Sequence, residues 1–281
     1  MSKTLFITDL DGTLLDSSAK ITPVTAKIIN NLIDDAGLIF TYATARSFHT
    51  ALPVTSDINF KYPAVHHNGV FINAPKNGEC FDQRVFDKDK MTQLIKNLQD
   101  NKIYPLLYSI IDGRERVSWI SGKETDGIKF YLKTRQNDKR LRPVQDYSEF
   151  TGVINQLAFV SDYREELEQI VSILNLDSHF VHQIHVDAYK HDGKAKYWCE
   201  ILRFDAQKDT GVQKVSKLTG TDKIICFGDN LNDLPMFNIS DESYAVDNAV
   251  PEVKEIATGV IGSNDDDGVA KWLEKNAHKY L

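Results

Sequence analysis

The sequence predicts an α/β protein in which a parallel-sheet core is interrupted by an α+β insert. Three observations predict it. A strand-like run (TLFIT, residues 4–8), a helical stretch (22–36) and a second strand-like run (LIFTYA, 38–43) open the chain. The same alternation returns after about residue 207, with KIICF at 223–227. Between them, pairs of apolar runs joined by short turns dominate. Strand–helix–strand alternation implies parallel strands with right-handed crossovers, whereas hairpins imply antiparallel ones. The expected division is a core of residues 1–82 and 204–281 around an insert of residues 83–203, a size usual for a domain.

TLFIT has no polar alternation and reads as a fully buried strand. Thr22 is placed to cap a helix with Pro23 at its first position; Val24, Ile28, Leu32 and Ala36 form an apolar stripe at helical spacing, and Gly37 ends the helix. PAVHH, Asn68-Gly69 and VFI read as a strand, a tight turn and a returning strand. In the insert, a helix carrying Met91, Leu94, Ile95 and Leu98 precedes YPLLYSI, the turn Asp112-Gly113 and VSWI. VINQLAFV (153–160), a helix near 163–174, FVHQIHV (180–186) and KYWCEIL (196–202) follow. The core resumes with a helix over about 208–219, KIICF, the turn GDNLND, a helix near 250–257, the short strand GVI and a last helix. Asp265, Asp266 and Asp267 precede that helix, where acids cap the N-terminus and complement its dipole.

Of the 281 residues, 42% are hydrophobic and 26% charged, which is the composition of a globular domain. The net charge of −7 argues against nucleic acid or an anionic membrane surface as the main partner, because both require a basic face. Cys80, Cys199 and Cys226 are widely spaced and form no CxxC pair, so neither a disulfide framework nor a zinc site is expected, and a reducing cytoplasmic compartment fits. The apolar stretch before Asp9 is too short for a signal peptide, and no run approaches the ~18 apolar residues of a membrane span.

Ligands of open α/β sheets bind beyond the carboxyl ends of the strands. Four polar groups stand where such ends are expected: Asp9 with Asp11 after TLFIT, Thr44 after the second strand, Lys208 at a helix start, and Asp229 with Asp233 after KIICF. If these converge, several carboxylates share one cleft. Two like charges ~4 Å apart repel by ~4 kcal/mol at an effective dielectric of ~20, so the cluster calls for a cation, and all-oxygen donors suit magnesium better than zinc. A cation, Lys208, Thr44 and backbone N–H groups would together hold a phosphate. The Asp9–Asp11 doublet then has two jobs: one carboxylate attacks phosphorus, and the other protonates the leaving oxygen and later activates water. Gly12 lets the chain turn sharply there.

These residues resemble the haloacid dehalogenase-like (HAD) superfamily of phosphatases, in particular its Cof-like members. Asp9-Leu10-Asp11-Gly12-Thr13 matches the DxDGT motif, Thr44-Ala45-Arg46 the motif usually written TGR, Lys208 the motif lysine, and Gly228-Asp229-Asn230-Leu231-Asn232-Asp233 the GDxxND motif. Ala45 stands in place of the usual Gly, and Lys208 is followed by Asp209 where the family usually has Gly, which leaves Lys214 as an alternative. The resemblance implies a Rossmann-like doubly wound core and an inserted cap that selects the substrate. It implies Asp9 as nucleophile and metal ligand, Asp11 as general acid/base that also offers its carbonyl to the metal, and Asp229 and Asp233 as metal ligands for Mg2+. Leu10, Thr44, Ala45, Lys208 and Asn232 are implied phosphate contacts, and a small phosphorylated metabolite such as a sugar phosphate the implied substrate. A phosphomutase or phosphotransferase would use the same doublet, and a non-catalytic phosphometabolite-binding protein would be expected to have lost it.

His182 and His185 fall on opposite faces of one strand, so together with His191 they are not expected to bind a metal. His66 and His67 flank the Asn68-Gly69 turn, one expected to pack and one to face substrate. Trp119 and Trp198 are expected in the insert's core, and Arg114 and Arg116 on a solvated hairpin.

Overall fold

The computed structural model describes residues 3–187 and 196–281; His191 lies outside them. In chain order the first part holds β1 (Thr4–Thr8), α1 (Pro23–Asp34), β2 (Ile39–Tyr42), α2 (Phe48–Thr55), β3 (Ala64–His66), β4 (Phe71–Asn73) and β5 (Cys80–Gln83). The middle holds α3 (Lys88–Asn101), β6 (Leu106–Ile111), β7 (Arg114–Ile120), α4 (Asp126–Thr134), β8 (Leu141–Val144), β9 (Val153–Ser161), α5 (Arg164–Leu174), β10 (Phe180–Val186) and β11 (Tyr197–Arg203). The last part holds α6 (Lys208–Thr219), β12 (Lys223–Gly228), α7 (Leu234–Ile239), β13 (Glu242–Val246), α8 (Pro251–Ile256), β14 (Gly259–Ile261) and α9 (Gly268–Asn276). The chain divides into two units, Met1–Gln83 with Gln207–Leu281, and Arg84–Ala206.

The first unit is built on a five-stranded sheet in the order β14-β13-β12-β1-β2, parallel throughout. All five residues of β1 are buried, as expected of a strand covered on both faces by crossover helices. Fully burying side chains such as Leu5, Phe6 and Ile7 stabilises by about 1.5–3 kcal/mol each. From β1 the chain moves outward to β2 on one side; from β12 it moves through β13 to β14 on the other. The strand order therefore reverses between β1 and β12, and the ligand crevice of such a sheet opens at their carboxyl ends. A small antiparallel sheet, β3-β4-β5, is attached through a single parallel bridge between Ala43 and Val65.

Helix α1 starts as expected, with the Thr22 hydroxyl accepting from the Thr25 N–H at 3.0 Å. Its buried face is displaced by one residue from the expected stripe: Thr25, Ile29 and Ile33 are buried, whereas Val24 is exposed. Apolar residues occupy both rows, and the core lies against Ile29 and Ile33 with Ile28 and Leu32 packed at its margin; the Thr25 hydroxyl on the buried row donates to Asp267 at 2.9 Å. This also corrects the reading of the acidic triplet. Asp267 holds residues 22–25, and Asp265 accepts from the Ser17 N–H and hydroxyl, while no side chain caps α9. Helices α2, α4 and α7 were not legible in the sequence; Pro53 within α2 masks its pattern.

The second unit is a six-stranded sheet in the order β10-β11-β9-β6-β7-β8, antiparallel except for the β7–β8 pair. Trp119 is buried in one of its core clusters as expected, and Trp198 is half-buried against the same cluster.

Candidate active site

The two central strands of the parallel sheet end side by side. Thr8 pairs with Phe227, and the Asp9 N–H donates to the Phe227 carbonyl at 2.9 Å. Asp9 and Asp229 therefore begin the two turns that leave neighbouring strands, which is why residues far apart in sequence meet. Asp11 (φ −73°, ψ 121°) and Gly12 (φ 78°, ψ −2°) have the angles of the central residues of a type II turn, whose second position requires positive φ and hence glycine. The turn brings Thr13 under Asp229, to which its hydroxyl donates at 2.9 Å. Asn248 donates to the Gly12 carbonyl at 2.7 Å and fixes the turn from the other side.

The second turn is organised by Asp233. One of its oxygens accepts from the N–H groups of Asp229 (2.9 Å) and Asn230 (3.0 Å). Gly228 is required by this packing: a Cβ there would lie 2.6 Å from that oxygen. The other oxygen accepts from Lys208 Nζ at 2.6 Å, and the same ammonium donates to Asp9 Oδ1 at 2.5 Å. Lys208 is fully buried and thus sits between two of the acids; it, and not Lys214, occupies the site. Its placement depends on Gly69, where a Cβ would come within 2.2 Å of the Gln207 carbonyl oxygen at the start of α6.

Asp9, Asp229 and Asp233 each offer a carboxylate oxygen, and these lie within 4.8 Å of one another. Burial pushes Asp9 up to about 7; Lys208 opposes the rise, and the neighbouring Asp233 and Asp11 add to it. Burial also pushes Asp229 well above the usual carboxylate range, reinforced by repulsion from Asp9 and Asp233. Burial pulls the Lys208 ammonium down, but the charges of Asp233 and Asp9 outweigh it and hold the group protonated. One ammonium thus serves three buried acids. One oxygen of Asp9 and one of Asp229 receive no hydrogen bond from the described residues. An acceptor-only, all-oxygen donor set with a surplus of negative charge fits a hard divalent cation.

The other expected residues surround this group. Thr44 is buried at the end of the second strand, its oxygen accepting from the Arg46 N–H at 3.1 Å, so its proton is available to an anion. Ala45 follows in the same bend, and its N–H donates to no described group. Leu10 is buried. Asn232 donates to Asn68 Oδ1 at 3.1 Å, which ties the GDxxND turn to the His67–Gly69 turn. That turn is in turn held to the Thr44 bend, because the His67 and Asn68 N–H groups donate to the carbonyls of Arg46 and Thr44, both at 3.0 Å. Both His66 and His67 are buried, and His66 packs edge-on against Tyr42 and Phe48. The Asp11 carboxylate does not join the three acids. It is held by Arg46, with Nε to Oδ2 at 2.7 Å and a terminal nitrogen to Oδ1 at 2.5 Å. In the sequence Thr13 and Arg46 stand out only as members of their motifs, Asn68 only as half of a tight turn, and Asn248 not at all. The left-handed Asn68-Gly69 pair was the one local signal that this segment was under constraint.

The profile of haloacid dehalogenase-like hydrolases matches residues 6–273. The chain belongs to this family. As a haloacid dehalogenase-like hydrolase it is 27% identical over 276 residues to the 5-amino-6-(5-phospho-D-ribitylamino)uracil phosphatase YitU of Bacillus subtilis, covering 96% of each chain. It is 26% identical over 282 residues to YwtE of the same organism, which carries the same activity name, covering 95% of this chain and 96% of that one. Its fold is shared with TM0651 of Thermotoga maritima (TM-score 0.75, 23% identity, covering 98% and 97%). It is shared as well with the HAD subclass IIB sugar phosphatase BT4131 (TM-score 0.73, 17% identity, covering 98% and 99%). Membership of the family implies a divalent metal cofactor, which the donor set above accommodates. No helix among the described residues is long and apolar enough to cross a membrane.

Proposed function

We propose that this haloacid dehalogenase-like hydrolase is a magnesium-dependent phosphatase of small phosphate monoesters, working through an aspartyl-phosphate on Asp9. The observation that carries the reading is the meeting of Asp9, Asp229 and Asp233 around a single buried ammonium, with Asp11 one turn away. Asp9, Asp229 and Asp233, together with the Asp11 carbonyl, would hold the cation, which when bound supplies positive charge to the phosphate oxygens.

The protein's own groups do the rest. Thr44 and the Ala45 N–H hold the phosphate, and Leu10 contributes its backbone. Lys208 orients Asp9 and neutralises charge beside it, and Asn232 lines the same crevice. A carboxylate oxygen of Asp9 attacks phosphorus, and the ester oxygen departs with the bonding electrons and takes a proton from Asp11. Asp11, now a carboxylate, accepts a proton from water as that water attacks phosphorus. Asp9 and inorganic phosphate are released. Because Asp9 is the group being phosphorylated, the proton must come from a second acid, which explains the doublet.

For the substrate we propose a phosphorylated sugar or polyol, with the insert selecting it. The relatives support this class: two are named for a phosphoribityl compound and one for sugar phosphates. The test is phosphate release from a panel of sugar phosphates, polyol phosphates and nucleotides with magnesium, repeated with EDTA and after restoring magnesium. The reading expects turnover only with the metal, a phosphoenzyme trapped by acid quench, and neither in Asp9→Asn. Turnover that survives chelation or the Asp9 substitution would overturn it.

A further inference from the structure

We infer that Arg46 is a positioning residue that sets the orientation of the Asp11 carboxylate. The inference deepens the proposed phosphatase reading and rests on it for the role of Asp11. Three observations carry it. First, the guanidinium grips both oxygens of Asp11, at 2.7 and 2.5 Å, in the planar two-point geometry that arginine alone among side chains provides. Second, Arg46 is itself anchored at both ends: a terminal guanidinium nitrogen donates to the Thr50 carbonyl in α2 at 3.2 Å, and the backbone N–H donates to the Thr44 hydroxyl at 3.1 Å. Third, the pair is only partly shielded, with 22% of the Arg46 and 25% of the Asp11 side chain exposed, so a ligand can compete for either partner.

The geometry has a mechanistic consequence. Each Asp11 oxygen accepts from the guanidinium, so the oxygen that carries a proton to an ester or takes one from water must loosen its bond to Arg46. The two-point grip is a resting arrangement. In the reacting arrangement the Nε–Oδ2 bond keeps the carboxylate in place, while Oδ1 leaves the terminal nitrogen and turns to the ester oxygen. Arg46 follows directly on Thr44 and Ala45, so the bend proposed to receive the phosphate also carries the group that aims the acid.

The test separates aiming from phosphate binding by the leaving group. A phenolate as good as p-nitrophenolate departs without a proton, whereas an alkoxide needs one. Arg46→Ala is expected to lower kcat on an alkyl phosphate by about 10²-fold, and on p-nitrophenyl phosphate by no more than about 3-fold. Arg46→Lys, which offers one point of attachment, should fall between them. The Asp11→Asn/Arg46→Ala double variant should be no slower on the alkyl ester than Asp11→Asn alone, because the two residues act as one unit. An equal loss on both esters, unchanged alkyl turnover, or losses that multiply in the double variant would overturn the inference. If Arg46→Ala fails to fold, Arg46→Gln and Arg46→Lys carry the same comparison. A crystal structure of a folded variant gives a reading independent of turnover: the Asp11 carboxylate should leave its wild-type orientation, and an unmoved carboxylate would overturn the inference. Absence of turnover in the wild type would count against the phosphatase reading, and the crystal structure would then decide the positioning role.

Discussion

Each unit of the molecule buries a cluster of charges, and the two are balanced in opposite ways. In the insert, Arg140 serves two carboxylates: Nε and one terminal nitrogen engage Asp138 at 2.6–3.1 Å, and the other terminal nitrogen reaches Glu115 at 3.1 Å. Burial raises Asp138, but the hydrogen bonds from Arg140 outweigh it and hold the carboxyl below its usual range. In the core, one ammonium serves three carboxylates, and burial pushes Asp9 up to about 7. In the insert cluster the one guanidinium bonds both carboxylates and holds Asp138 ionised without a further cation. The core cluster sets three acids against one ammonium, so burial and mutual repulsion hold Asp9 and Asp229 above the usual carboxylate range, and one oxygen of each receives no hydrogen bond from the described residues. Burial of charge therefore does not mark a site by itself. The mark is a deficit of compensation, which a cation and a phosphate would together remove.

The largest effect should come from Asp9→Asn, which removes the proposed nucleophile: turnover should fall by about 10⁴-fold or more while circular dichroism stays unchanged. Next, Arg140→Met should leave Glu115 and Asp138 buried without their partner and cost about 3–5 kcal/mol in urea denaturation, which would show the insert cluster to be structural. A loss under about 1 kcal/mol would erase the contrast. Thr13→Val removes the hydroxyl that orients Asp229 and should weaken metal affinity by about 10–100-fold, read as the magnesium concentration for half-maximal turnover.

The smallest effect is a difference in sign with pH, measured in EDTA as the urea midpoint. Asp9 is raised from 3.8 to about 7, so the folded state holds a proton that the unfolded state has released, and stability falls as pH rises between these values. Asp9→Asn should then be more stable than wild type at about pH 8 and equal to it near pH 4. Asp138 is lowered, so its contribution is present above the unfolded value of 3.8 and is lost as pH falls through the folded one. Asp138→Asn should destabilise at neutral pH, with the deficit fading only in acid. The same sign for both variants would refute the opposition drawn here.

Much of this was legible in the sequence because parallel sheets obey a positional rule. Apolar runs ending in Asp9 and Asp229 need only be adjacent strands for the acids to meet, and the alternation of elements said that they were. Adjacency says nothing about partners chosen by side-chain direction. The Arg46–Asp11 grip joins two motifs through rotamers that no spacing encodes. Thr13 and Asn248 act through single hydrogen bonds to groups contributed from more than two hundred residues away. Periodicity was equally blind where two rows competed: Ile28 with Leu32 and Ile29 with Ile33 both fit a helical face, and the second pair is the one that is buried. The triplet at 265–267 misled for the same reason, since acids before a helix suit capping and distant hydroxyls alike.

The strand order also bears on how the protein is made. β1 leaves the ribosome first, yet its neighbour on one side is β12, at Lys223–Gly228. Throughout synthesis of the insert, this fully buried strand has one edge unpaired, a state prone to pairing with other chains. A nascent chain halted before β12 also lacks Asp229, and one halted before residue 208 lacks Lys208 as well. Chains terminated before β12 are thus expected to be chaperone substrates with no residual turnover, and activity to appear only after residues 229–233 have been translated.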